Sequence, residues 1–244
     1  MAPEIPETSR PPQGRALLPA VLRGRAGPGD VRRFVVYWVR SAPGTHIWLG
    51  TLAVTSVIVA VSPPHVRSYL LHSVSTNLVE LGRHPTRALV ASALWIETPS
   101  GFAVYALLFE AVHATAERRL GTWRWLLVVA TAHVGATLLS QKVVRLGIRA
   151  QRLPDSLAHT IDIGVSYGLA GVVGVLTYGV PRPWRWGYLA AVLGYFAYPV
   201  VNGGTFTDLG HLTAVLIGLC CYAVMPARRT VPAPPRCRPR RWRR

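Results

Sequence analysis

A serine set among glycines and a histidine beside another glycine are the two parts of this sequence that can do chemistry together. Ser166 stands in the stretch Ile161-Asp162-Ile163-Gly164-Val165-Ser166-Tyr167-Gly168-Leu169-Ala170-Gly171, and His211 follows Asp208 and Gly210. A serine hydroxyl becomes a nucleophile when a base within hydrogen-bond reach takes its proton, and histidine titrates in the range that suits that work. Ser166 lies near the start of an uncharged run that continues to Pro181, and His211 lies a few residues into the last uncharged run. With a rise of about 1.5 Å per residue, residues placed alike in two helices running the same way fall within a few Å in depth. Each residue also has a structural reading. A lone G-x-S-x-G is common, a serine in a membrane helix often bonds its own backbone, and a histidine at depth is more often a satisfied structural group than a base. The coincidence in depth is what lifts the pair above those readings.

The surrounding residues give the helix its character. Gly164, Gly168 and Gly171 share one helical face, while Ser166, Ala170 and Thr177 lie on a roughly opposite one. A membrane helix that is small all round is expected to be enclosed by neighbours, because close backbone approach drives association in lipid. Asp162 and Asp208 read as helix caps or as groups that polarise the site. Glu110, His113 and His133 fall within other apolar segments. Glu-x-x-His with a further histidine resembles a metal set, but the reading followed here is an internal hydrogen-bond network with no metal and no cofactor. Cys220, Cys221 and Cys237 form no C-x-x-C pair and no disulfide framework, and read as packing residues.

These residues are carried by a chain with a membrane protein's distribution. Half of the 244 residues are hydrophobic and 15% are charged, and the charges gather in blocks between long uncharged intervals. The net charge of +17 is concentrated at the two ends, so we read it as a topology signal and as lipid-headgroup contact, with no nucleic-acid role. Residues 1–40 are expected to form a basic cytoplasmic arm, in which the apolar patch 34–39 lies at the interface. Residues 41–226 are expected to form an all-α membrane domain of six transmembrane helices, and residues 227–244 a basic cytoplasmic tail. The expected spans are 45–62, 99–116, 125–144, 163–180, 186–201 and 209–224. Between the first two, residues 67–97 are too broken to span and are expected to lie against the outer surface. Within them Ser75-Thr76-Asn77-Leu78 caps one short helix and His84-Pro85 starts another. An even number of spans puts both termini on one side. The excess of arginine in the segments on that side places them in the cytoplasm of a cell-membrane protein.

The sequence resembles the rhomboid intramembrane serine proteases. The matching pieces are Gly164-Val165-Ser166 followed by Gly171, Gly210-His211 followed by Gly218, and Glu117-Arg118-Arg119-Leu120-Gly121 after the second span, in the family's order. The resemblance covers roughly residues 45–226. It implies a six-helix bundle with Ser166 as nucleophile and His211 as general base of a dyad open to the outer side. Gly164, Tyr167 and Gly168 would then shape the oxyanion site and its packing, and Glu117 would be structural near the inner surface. It implies transmembrane protein substrates or clients, met within the lipid bilayer. Some positions depart from the family's pattern. Tyr167 replaces the glycine after the serine, Ala170 a tyrosine that stacks on the histidine, and Ala214 a glycine of the sixth helix. Gly101 and Tyr105 stand where the family carries His and Asn on the second span. Two readings therefore follow: an intramembrane serine protease, or a catalytically inactive rhomboid-like protein that binds transmembrane segments.

Overall fold

The computed structural model describes residues 28–225, and among them every regular element is helical. Helix α1 (Pro28–Ser41) is followed after Ala42 by α2 (Pro43–Val61), whose first-turn proline is pre-set for a helix start. Three short helices come next, α3 (Pro64–Val74), α4 (Leu78–Arg83) and α5 (Pro85–Ser92). As the sequence indicates, Asn77 caps α4, its side chain accepting from the amide of Glu80 at 2.9 Å, and a proline opens α5. A continuous helical run then covers residues 102–120. It comprises α6 (Phe102–Leu108), a wider turn over Phe109–Ala114 and α7 (Thr115–Leu120). Gly121, at φ +82°, reverses the chain into α8 (Thr122–Arg149), and that left-handed φ favours glycine. The last helices are α9 (Val165–Leu176), α10 (Trp184–Val201) and α11 (Phe206–Cys220). The expected arm and tail fall mostly on residues 1–27 and 226–244, outside the described residues. The apolar patch 34–39 is part of α1.

Each of the six expected spans contains helix, but only some of those helices match the lengths read from the sequence. Among the described residues three are long and apolar enough to cross a membrane: Pro43–Val61, Thr122–Arg149 and Phe206–Val224. Val165–Gly179 is apolar but shorter. Val165, Tyr167, Gly168, Ala170, Gly171, Val172, Gly174 and Val175 are all buried, so α9 is enclosed by protein along most of its length.

Small residues bring these helices together. Gly171 backs onto Ala132 of α8, and Gly218 of α11 lies directly against the backbone of Gly171, so a Cβ at either position has no room. Gly168 faces Trp48 of α2 and Val129 of α8, each 3.2 Å from where a Cβ would stand. The glycine face read from the sequence therefore packs against α2 and α8. The opposite face, with Ser166, is turned elsewhere.

Glu117 closes the other end of the bundle. Its carboxylate is 2% exposed and accepts from the amides of Gly44 (2.9 Å) and Thr45 (2.7 Å), and from the hydroxyls of Thr45 and Thr122 (2.7 Å each). The residue preceding α2 is Ala42, which has no capping side chain, so Glu117 supplies from α7 the acceptor that the first turn of α2 needs. Arg118 extends the join, donating to Ser41 at 2.8 Å and lying 4.6 Å from the ring centre of Trp38.

Candidate functional site

The face of α9 that bears Ser166 opens on a cleft of about 1160 Å³. Ser166 and Ala170 form one wall with Leu169 and Val173, and His211 and Asp208 of α11 form another. The helical run 102–120 contributes Leu108 and Val112, and α10 closes the remaining side with Tyr188, Tyr195, Phe196 and Tyr198 among others. The two residues singled out in the sequence thus share one cavity, on helices that touch through Gly171 and Gly218. No hydrogen bond joins Ser166 to His211 among the described residues.

The start of each helix explains how these side chains are held. Gly164 begins α9 without a side-chain cap, and the amides of Tyr167 and Gly168 reach back to its carbonyl at 3.1 and 3.4 Å. The amides of Val165 and Ser166 belong to the first turn, where a helix offers no acceptor of its own. α11 begins with a reciprocal cap. The amide and hydroxyl of Thr205 both donate to Asp208 at 2.8 Å, and the Asp208 amide returns a bond to the hydroxyl at 3.4 Å. Asp208 therefore caps its helix and fixes its first turn, with His211 one turn further on.

Asp162 is not a cap. It is 2% exposed, and its carboxylate accepts from Tyr167 (3.0 Å), Gln141 (3.2 Å) and Thr76 (3.2 Å). Its backbone is also engaged. The carbonyl accepts from the Thr76 amide at 3.0 Å, and its amide donates to Ser75 at 2.8 Å. Ser75 and Thr76, read from the sequence as preparing a cap, are instead buried against this residue while Asn77 alone caps α4. Tyr167 is fully buried. Its ring packs on Gly210, where a Cβ would stand 2.6 Å away, and meets the ring of His211 edge-on at 5.2 Å between centres. Phe196 lies on another side of His211 at 6.2 Å.

The expected network of Glu110, His113 and His133 does not exist as one unit. Glu110 lies 2.9 Å from Nε2 of His46 on α2 and 3.7 Å from Arg118. His113 is fully buried among Trp48, Phe109 and Trp125, and its Nδ1 accepts from Trp125 at 3.1 Å. His133 donates from Nε2 to the carbonyl of Leu89 at 2.8 Å, and its ring lies against Gly164. The wider turn over Phe109–Ala114 accounts for the separation of the first two. Three residues advance less around such a turn than around an α-helix, so positions i and i+3 no longer share a face. No group of three metal-ligating side chains occurs among the described residues.

Gly164 and Gly168 are placed as packing residues, against His133 and against Trp48 with Val129. Gly101 and Tyr105 stand on a short turn and on α6, and Tyr105 packs with the Trp48 and Phe109 cluster. Sequence reasoning missed His46 and Gln141, and assigned Ser75 and Thr76 to a cap that Asn77 alone makes. The signal available was a polar or ionisable group inside an apolar segment, which requires a partner at depth.

No curated protein and no solved structure matches the chain. The family model for rhomboid-like proteins matches residues 37–231, from the end of α1 past the end of α11. With the match extending over most of its length, the chain is a membrane protein of the rhomboid-like family.

Proposed function

We propose that the protein is an intramembrane serine protease that hydrolyses peptide bonds of transmembrane substrates with a dyad of Ser166 and His211. The observation that carries this reading is the shared cleft: a hydroxyl and an imidazole line the same cavity, one near the first turn of each of two touching helices. In the reaction Ser166 Oγ attacks the scissile carbonyl while His211 takes its proton, forming a tetrahedral intermediate. The first-turn amides of α9, which have no acceptor within the helix, serve as donors to the developing oxyanion. His211 then passes the proton to the leaving amine, and water repeats the cycle on the acyl-enzyme. Leu108, Val112 and the tyrosines of α10 give the cleft an apolar wall suited to an unwound helical segment entering from lipid. In this reading the six helical segments span the cell membrane, both termini are cytoplasmic, and residues 67–97 with the mouth of the cleft face outward. Residues 1–40 and 227–244 are the basic cytoplasmic arm and tail.

A second reading is a catalytically inactive family member that binds transmembrane segments. It is favoured by the lack of a hydrogen bond between Ser166 and His211 and by the apolar residues that the run 102–120 offers to the cleft. The two are separated by purified protein in detergent. The protease is labelled at Ser166 by a fluorophosphonate and cuts a model transmembrane substrate. Ser166→Ala and His211→Ala each abolish cleavage, and the double variant loses nothing more, because residues acting as a unit are non-additive. Absence of labelling and cleavage, with substrate helices still co-purifying, decides for the binding protein.

A further inference from the structure

The cleft accounts for Ser166 and His211 but leaves a buried carboxylate and a buried tyrosine behind them. Tyr167 points away from the cleft, and its ring is wedged between Gly210 and the edge of His211. Its hydroxyl is held by Asp162, and Asp162 is itself fixed by Gln141 of α8 and by Ser75 and Thr76 of the segment between α3 and α4. His211 makes no hydrogen bond of its own among the described residues, so ring contacts with Tyr167 and Phe196 set its orientation. Phe196 is the looser of the two at 6.2 Å, on a helix at the rim. We propose that Tyr167, anchored by Asp162, is the positioning residue for His211, so that the link between the surface segment and α9 fixes the imidazole on the wall facing Ser166.

This rests on the dyad reading for its catalytic meaning, but it is tested on His211 directly. Purified full-length protein is treated briefly with diethyl pyrocarbonate, and modification of His211 is measured by mass spectrometry relative to exposed His65 of α3, which does not line the cleft. Tyr167→Leu removes the ring and is expected to raise the His211 to His65 ratio about three- to tenfold, the range set by loss of one edge-on aromatic contact. Tyr167→Phe keeps the ring, frees it from Asp162, and is expected to raise the ratio by a smaller factor of about two. Thermal unfolding shows that each variant is folded, and Tyr167→Phe supplies a readout if Tyr167→Leu does not fold. A ratio unchanged in both folded variants overturns the proposal, and a rise in Tyr167→Leu alone removes Asp162 from it. Fluorophosphonate labelling of the unmutated protein reports separately on the dyad. Its absence ends the protease reading while the histidine ratio still decides whether Tyr167 orients His211.

Discussion

At the scale of single residues, Glu117 is a buried carboxylate outside the cleft that is held on all sides by donors. Burial alone would raise its pKa, but the bonds from Thr45, Thr122 and Gly44 outweigh that and hold it below the ordinary carboxylate range. A carboxyl with a lowered folded pKa contributes stability that is fully present above its unfolded value and is lost as pH falls through the folded one. Stability in detergent is therefore expected to decline below about pH 4.5, and Glu117→Gln should flatten that decline. The same change turns a donor toward donors, and is expected to cost about 1–3 kcal/mol at neutral pH in a thermal or denaturant unfolding assay. Glu110 differs because its neighbours are His46 and Arg118 and it is partly exposed. Glu110→Gln should cost well under half as much as Glu117→Gln in the same assay. Equal losses would show that the partly exposed pair is as important as the buried cap.

At the scale of elements, the contact of α9 with α11 rests on two glycines with no space for a side chain. Gly218→Val forces a branched side chain into the backbone of Gly171, and is expected to lower stability by about 1–3 kcal/mol or more, read as loss of folded protein on size exclusion after mild heating. Asn77→Ala removes the cap of α4 and should cost about 1 kcal/mol. The cap was legible in the sequence because it sits beside the helix it serves, and so was a glycine face on α9, but not that Gly218 would meet it. Other features were not. Glu110 pairs with His46 rather than His113, and nothing local records the wider turn that separates them. Asp162 stands beside α9 and reads as a cap, yet its partners come from residues 75, 76 and 141, brought to it by the packing of other helices. Ser166 and His211 were legible as candidates because both lie in glycine-bearing motifs at helix starts. That they share a cleft depended on which helices touch.

At the scale of the whole molecule, the arrangement in the bilayer is open to a direct measurement. With Cys220 and Cys221 replaced by alanine, Cys237 is the single thiol, and it should react with a membrane-impermeant maleimide only after cells are permeabilised. A cysteine placed at Tyr69, an exposed position of α3, should react in intact cells. The reverse pattern would invert the molecule. The bond from Glu117 to the start of α2 spans 73 positions of sequence, and this has a consequence for how the chain is made. When α2 leaves the ribosome its first amides have no acceptor, because the carboxylate that will bind them has not yet been synthesised. The start of α2 must wait for α7 to arrive, so a nascent chain arrested before residue 117 has emerged from the ribosome is expected to be held less securely in the bilayer than one arrested after it has emerged.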